Sequence, residues 1–106
     1  MLLTLALMAA TPAVATCIDP DRVVSRRAEG DDAIRFVMLD GTHYLNRIGA
    51  ACPGLARADA AGALIIEKKG ARLCRGDFVR AAHPGDPGVP CVLGKFEAVP
   101  ADGTGR

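Results

Sequence analysis

The sequence predicts a small all-β or mostly β domain: an antiparallel β-barrel or a bent sheet of about six strands, with at most one short helix and two disulfides. Three observations lead to this fold class. Short runs rich in β-branched and aromatic residues are separated by turns rich in Gly, Pro and Asp. One segment alone has the Ala-rich composition of a helix, and four cysteines occur in a chain of 106 residues.

The N-terminal residues have the features of a secretory signal peptide. Residues 2–10 form an apolar run, Pro12 interrupts it, and Ala13-Val14-Ala15 fits a small-residue cleavage site. A transmembrane anchor is disfavoured because the run is too short to cross a bilayer. We therefore expect residues 1–15 to be a signal peptide, residues 16–99 to be one disulfide-stabilised β domain without a transmembrane segment, and residues 100–106 to be a flexible tail.

The cysteine content supports export. An even number of cysteines in a short exported chain predicts two disulfides, formed by Cys17, Cys52, Cys74 and Cys91. Their spacing contains no C-x-x-C pair, which argues against a zinc site. A lipid anchor at Cys17 is the alternative role for that residue, but lipoproteins place Gly, Ala or Ser before the lipidated cysteine, and here Thr16 precedes it.

The clearest local pattern is a β-hairpin, which follows an earlier strand at residues 22–27. Two apolar runs flank Asp40-Gly41, a dipeptide favoured in two-residue type I′ turns, and such a turn pairs Leu39 with Thr42. The resulting register places on the core face Ile34, Phe36, Met38 and Leu45, with His43 at its end. The opposite face receives Arg35, Val37, Leu39, Tyr44 and Asn46.

After the hairpin, the pattern predicts a short helix at residues 55–60 and strands at 64–67, 73–81 and 91–99. Gly76 interrupts the third of these elements, which indicates a bulge or a close backbone approach. Asp77 is expected to accept hydrogen bonds from nearby backbone amides and to fix the bend. The Arg-Gly-Asp tripeptide is therefore interpreted as part of the scaffold rather than as an adhesion signal.

Residues 83–90 contain too many prolines and glycines for regular structure and are predicted to form a surface loop. Prolines lower the cost of ordering a loop when it binds a partner. The candidate partner-binding residues are His83, Pro84, Gly85, Asp86 and Pro87.

The order and spacing of several short motifs resemble a bacterial family of small exported four-cysteine proteins that is catalogued only as a domain of unknown function. The motifs cover nearly the whole exported chain: Cys17-Ile18 with Arg22-Val23, the hairpin around Asp40-Gly41, Cys52-Pro53-Gly54-Leu55, Leu73-Cys74-x-Gly76-Asp77 and Cys91-x-Leu93-Gly94-x-Phe96. The resemblance implies a β-rich fold and a periplasmic location in a Gram-negative bacterium. It implies no catalytic residue, cofactor or substrate.

Disulfide pairing is a separate expectation. If the first and last strands close a barrel, Cys17 pairs with Cys91 and Cys52 pairs with Cys74. The alternative joins Cys74 to Cys91 across a hairpin and leaves Cys17 with Cys52.

The sequence assigns no catalytic, cofactor-binding or metal-ligating residue. Ser25 is the single serine and lacks the surroundings of a nucleophile, and disulfides would remove the thiolates that cysteine catalysis needs. A metal site would require both histidines and a carboxylate to converge, which nothing in the spacing demands. The residues concerned are His43, His83, Asp40, Asp77 and Asp86.

The function classes that survive are few. A net charge of +1, scattered arginines and the lack of an aromatic platform beside a basic run exclude nucleic-acid binding. We expect a non-catalytic binding, envelope-associated or inhibitory module of the periplasm, with a protein or other envelope partner and no cofactor. The alternative is a small enzyme or metal-binding protein with a site built from Asp and His, which a pocket holding a histidine and two carboxylates would favour.

Overall fold

The computed structural model describes residues 13–48 and 52–101, and within these ranges the fold is mostly β. The described residues contain ten short strands, one helix and a 3₁₀ turn at Pro20–Arg22. The strands are β1 (Val14–Ala15), β2 (Cys17–Ile18), β3 (Val23–Ala28), β4 (Ala33–Met38), β5 (His43–Arg47), β6 (Leu64–Glu67), β7 (Leu73–Cys74), β8 (Phe78–Ala81), β9 (Pro90–Val92) and β10 (Phe96–Val99), and the helix is α1 (Leu55–Ala60).

The strands form three antiparallel sheets, which confirms the predicted fold class in its bent-sheet form. The largest sheet has the order β1-β10-β5-β4-β3, the second pairs β2 with β7, and the third has the order β6-β8-β9. No closed barrel forms within residues 13–48 and 52–101. One core lies between the sheets and under α1, and it is built from Ile18, Ile34, Phe36, Met38, Ile48, Cys52, Leu55, Leu64, Leu73, Val79, Leu93 and Phe96.

The hairpin between β4 and β5 forms, but the predicted type I′ turn is wrong. Only Gly41 has a positive φ (+89°), and the Met38 N–H donates to the Thr42 carbonyl at 2.8 Å, so the loop has three residues. Asp40 has a negative φ, and its carboxylate accepts the Thr42 backbone N–H at 2.9 Å, as in an Asx turn. The same backbone hydrogen bond, with a smaller contribution from the Thr42 hydroxyl, lowers the pKa of Asp40.

The longer loop shifts the register by one residue, so the predicted faces are wrong for β5. Phe36 pairs with Tyr44 and Ile34 pairs with Asn46, whereas Leu45 pairs with Arg35 on the opposite face. The core face therefore carries Ile34, Phe36, Met38, Tyr44 and Asn46. The change places the Tyr44 ring edge-on to Phe96, which also contacts Phe36 at a centroid distance of 5.5 Å.

Two predicted strands are each divided between different sheets. The 73–81 segment bends at Gly76 (φ +93°), and the buried Asp77 carboxylate accepts the backbone N–H groups of Cys74 at 2.8 Å and Lys69 at 3.3 Å. Asp77 therefore accepts backbone amides at a bend, as expected, but Gly76 lies in a turn between β7 and β8 and forms neither the predicted bulge nor a close backbone approach. The 91–99 segment bends at Gly94, where an added Cβ would lie 2.5 Å from the Arg47 carbonyl oxygen.

The disulfides are Cys17–Cys74 and Cys52–Cys91, so both predicted pairings are wrong. The predicted first strand, at 22–27, and the last strand do not pair: β3 is an edge of the five-stranded sheet, and β10 lies between β1 and β5. Cys17 and Cys91 lie on strands of the two other sheets, beyond the bends that follow β1 and precede β10. Each bridge closes a long loop and stabilises the domain by about 4 kcal/mol on the chain-entropy model. Because the Cys17 sulfur is bonded to Cys74, it is not available for a lipid anchor in this form.

Candidate functional site: a hydrogen-bonded loop and the hollow beside it

Residues 83–89 of the predicted surface loop 83–90 lie in the connection between β8 and β9, and Pro90 already belongs to β9. Its first half is a tight turn. The His83 N–H donates to the Asp86 carbonyl at 2.7 Å, and the Asp86 N–H donates to the His83 carbonyl at 2.8 Å. Pro84 follows His83, and Gly85 has a φ of +78°, which is the arrangement of a type II turn. Backbone hydrogen bonds within this turn therefore hold the candidate residues in one conformation.

The second half of the loop is held against the end of β8. The Asp86 carboxylate accepts the Gly88 N–H at 2.9 Å, and the Arg80 guanidinium donates to the Gly88 carbonyl at 2.8 Å. A Cβ on Gly88 would lie 2.4 Å from the Ala81 carbonyl oxygen, so only glycine permits this close approach. Arg80 is itself held by Glu67 on β6 at 2.8 Å. Charge-assisted hydrogen bonds of Arg80 therefore connect the loop to the three-stranded sheet.

A disulfide fixes the base of the loop. Cys91, on β9, is bonded to the buried Cys52, which precedes α1. Directly before β9, Val89 is 79% exposed, although the loop around it is hydrogen-bonded. An apolar side chain held out on an ordered loop is suited to insertion into an apolar groove of another protein.

A hollow of about 490 Å³ lies beside the loop. Its walls are mostly apolar and include Pro53, Val89 and the half-exposed Val92. His83 and Asp86 are the titratable residues at its edge, and the backbone of the tight turn holds them in place. Among residues 13–48 and 52–101, one histidine and one carboxylate line this hollow, whereas the predicted alternative, an Asp/His site, calls for a histidine with two carboxylates.

The other candidate ligands lie elsewhere. On β5, the Nδ1 atom of His43 is 3.1 Å from a guanidinium nitrogen of Arg35, whose Nε bonds Glu29. Asp40 lies in the hairpin turn, and Asp77 is occupied by backbone amides at the Gly76 bend. Within residues 13–48 and 52–101, no three His, Cys, Asp or Glu side chains are grouped as a metal site would need.

Sequence reasoning identified the loop but missed the residues that hold it. Arg80 and Glu67 are 13 residues apart in the chain, and no sequence signal indicates that Glu67 holds Arg80 or that Arg80 reaches the Gly88 carbonyl. The pairing of Cys52 with Cys91 also depends on the arrangement of the sheets. The prolines and glycines of the loop were the only local signal.

Comparisons of the chain with family models, with curated proteins and with solved structures found no match. The resemblance to an exported four-cysteine family therefore stays a prediction. In the part of the chain that the structure describes, no helix has the length and hydropathy needed to cross a membrane.

Proposed function

We propose that this protein is a small non-catalytic binding module of the bacterial periplasm that inserts the 83–89 loop into an apolar groove of a protein partner. The observation that carries the proposal is Val89, which is 79% exposed on a loop whose backbone is held by two turns. Single exposed apolar residues are ordinary on protein surfaces, so the proposal rests on the exposure of Val89 together with the ordered backbone that presents it.

The energetic advantage of such a loop is its low ordering cost. Immobilising a flexible side chain or loop on binding costs about 0.5–1.5 kcal/mol for each ordered side chain. Here the turn at Pro84-Gly85, the Asp86 bond to Gly88 and the disulfide at Cys91 fix the conformation before any partner arrives. Contacts made by Val89 would therefore add to the affinity instead of offsetting the cost of ordering the loop. A rigid inserted loop of this kind is best suited to inhibit a partner protein by filling its apolar cleft.

Export also follows from this proposal and is supported by two disulfides, which persist in oxidising compartments. The proposed mature protein starts at Thr16. Cleavage there would remove β1, whose Ala15 is half-buried against the core, and would leave the Thr16 carbonyl bonded to the Arg75 N–H at 2.8 Å. N-terminal sequencing or intact mass of the exported protein tests this start point.

The experiment that tests the binding function is capture from periplasmic extract of the source bacterium with the immobilised, oxidised protein. Val89→Asp places a charge at the proposed insertion point and is expected to abolish capture of the loop's partner. Leu39→Asp is the matched control, because Leu39 is a similarly exposed apolar residue (62%) at the tip of the hairpin. Asp86→Ala removes the bond to Gly88 and is expected to weaken capture without unfolding the domain.

The outcomes separate the loop from other surfaces. Capture that is lost with Val89→Asp and retained with Leu39→Asp supports the proposal. Capture that is equal for both variants shows that another surface binds the partner. Circular dichroism and a thermal melt of each variant verify that the domain is folded.

A further inference from the structure

Two strand edges face each other across a cleft on another part of the domain. β3 is the edge of the five-stranded sheet and β6 is the edge of the three-stranded sheet. The Arg26 side chain reaches from β3 to the Leu64 carbonyl of β6 at 3.1 Å. The remaining space between the two strands is a hollow of about 390 Å³, within the usual size range of small-ligand sites.

The floor of this cleft is apolar. Phe36 and Leu73, which are 1% and 3% exposed, form its base, and the half-buried Val23 and Ile66 form its sides. At the rim, Val24 is 55% exposed. A ligand with an apolar chain would therefore contact the exposed parts of Val23, Val24 and Ile66 in an open cleft between the two strands.

Two cations flank the cleft, one from each sheet. Arg26 projects from β3, and Lys68 directly follows β6. No carboxylate lines the cleft, and neither cation has a carboxylate oxygen within 4.0 Å in the part of the chain that the structure describes. Three other arginines of the domain are paired with a glutamate: Arg35, Arg47 and Arg80.

The guanidinium of Arg26 is also oriented in advance. One of its N–H groups donates to the Leu64 carbonyl, and a guanidinium has four further donors for a ligand. Lys68 contributes a second positive charge from the opposite side, and its ammonium donates only a long bond of 3.4 Å to the Gly70 carbonyl among the contacts described. An anionic group between them would receive charge-assisted hydrogen bonds above an apolar floor.

We propose that this cleft binds a small amphiphilic anion, a single apolar chain that carries a carboxylate or phosphate headgroup. The chain lies against Val23, Val24 and Ile66, above the covered Phe36 and Leu73, and the headgroup lies between Arg26 and Lys68. The site shares no lining residue with the hollow beside the 83–89 loop, so it is independent of the proposed loop function.

Isothermal titration calorimetry with decanoate and with decyl phosphate tests the proposal, below the critical micelle concentration of each probe. Both anions are expected to bind with a Kd below about 1 mM, and decanol and decyltrimethylammonium are expected to bind at least about tenfold more weakly. Amide chemical shifts should move at Phe36, Ile66 and Leu73. Preference for only one of the anions identifies the headgroup and supports the site.

Matched substitutions test the role of charge. Arg26→Gln and Lys68→Gln should each weaken decanoate binding by about two- to fivefold, and the double variant by about tenfold, as expected for partly solvated ion pairs. Arg27→Gln is the control, because Arg27 is the next residue of β3 and does not line the cleft. Lys68→Gln keeps the test valid if loss of the Leu64 contact makes Arg26→Gln unstable.

Several results would overturn the proposal. They are the absence of binding of both anions at about 1 mM, equal binding of decanol, and equal losses for the Arg27 and Arg26 variants. Val89→Asp should leave decanoate binding unchanged, so failure of the cleft and failure of the loop are distinguishable.

Discussion

Asn46 is a buried amide whose removal should weaken the joint between two sheets. Its side chain is fully buried, its Nδ2 donates to the Gly94 carbonyl at 2.7 Å, and its Oδ1 accepts the Gly94 N–H at 2.8 Å. Gly94 is the point where the chain leaves β9 in one sheet and enters β10 in another. Asn46→Ala removes both hydrogen bonds and leaves two backbone groups of Gly94 without these partners.

The expected cost follows from those two groups. Leaving a buried polar group unsatisfied costs about 1–3 kcal/mol. Because Gly94 is only half-buried, water can reach part of it, and we take the lower half of that range for each group. The total loss is then about 2–4 kcal/mol, a large share of the about 5–15 kcal/mol by which small domains are stable. For a domain of this size the Tm should fall by at least about 8 °C.

The assay is denaturant unfolding of the oxidised protein, followed by circular dichroism, with a thermal melt in parallel. Ser25→Ala is the control, because Ser25 is an exposed polar residue of β3, and it should change stability by less than about 0.5 kcal/mol. A loss below about 0.5 kcal/mol for Asn46→Ala would refute the assigned role of the amide.

Asn46→Asp separates hydrogen bonding from side-chain volume. The introduced carboxyl still accepts the Gly94 N–H but brings a negative oxygen against the Gly94 carbonyl, so its pKa should be raised in the folded protein. The variant is then least stable at neutral pH and regains stability as the pH falls through that raised pKa toward about 4, where the unfolded chain also becomes protonated. A pH-independent deficit would contradict this reasoning.

Three further predictions concern the scaffold. Gly76→Val should lower the free energy of unfolding by about 1–2 kcal/mol or more in denaturant unfolding, because Gly76 has a φ of +93°. Gly70→Val should cost less, because Gly70 has no positive φ and no atom lies within 4 Å of a Cβ added there. A tryptic digest of the unreduced protein should contain the tripeptide 73–75 linked to the peptide that carries Cys17, and mass spectrometry would detect any other linkage. Hydrogen bonding lowers the pKa of Asp40, so its stabilising contribution is present above its unfolded pKa and is lost as the pH falls through the lower folded value; Asp40→Asn should therefore flatten the stability profile below about pH 4 in unfolding measurements.

Local signals in the sequence were sufficient for elements whose structure depends on near neighbours. The helix at Leu55–Ala60 and the strand at Leu64–Glu67 have the predicted bounds. The bend at Gly76 and its fixation by Asp77 were also predicted, because a glycine inside a strand pattern and a following aspartate act within a few residues. The loop at residues 83–89 followed from its prolines and glycines in the same way.

The hairpin shows where local signals become ambiguous. Asp-Gly is compatible with a two-residue loop and with a three-residue loop, and the two differ by one residue of register. Asp40 binds the Thr42 N–H and thereby selects the longer loop. Burial of Tyr44 against Phe96 and of Asn46 against Gly94 then depends on that choice, and both partners lie about 50 residues away on β10 or beside it.

The sequence by itself determined that this is a mostly β domain with two disulfides, where its bends and its loop lie, and which residues can form them. Only the tertiary structure decided which cysteines pair, which side chains share a face, and that β3 and β6 enclose a cleft with a cation on each side. The physical reason is the distance along the chain between the residues that interact. Turn and capping preferences are set by the chain within a few residues, whereas sheet partners, disulfide partners and clefts are set by how bent sheets pack across the whole domain.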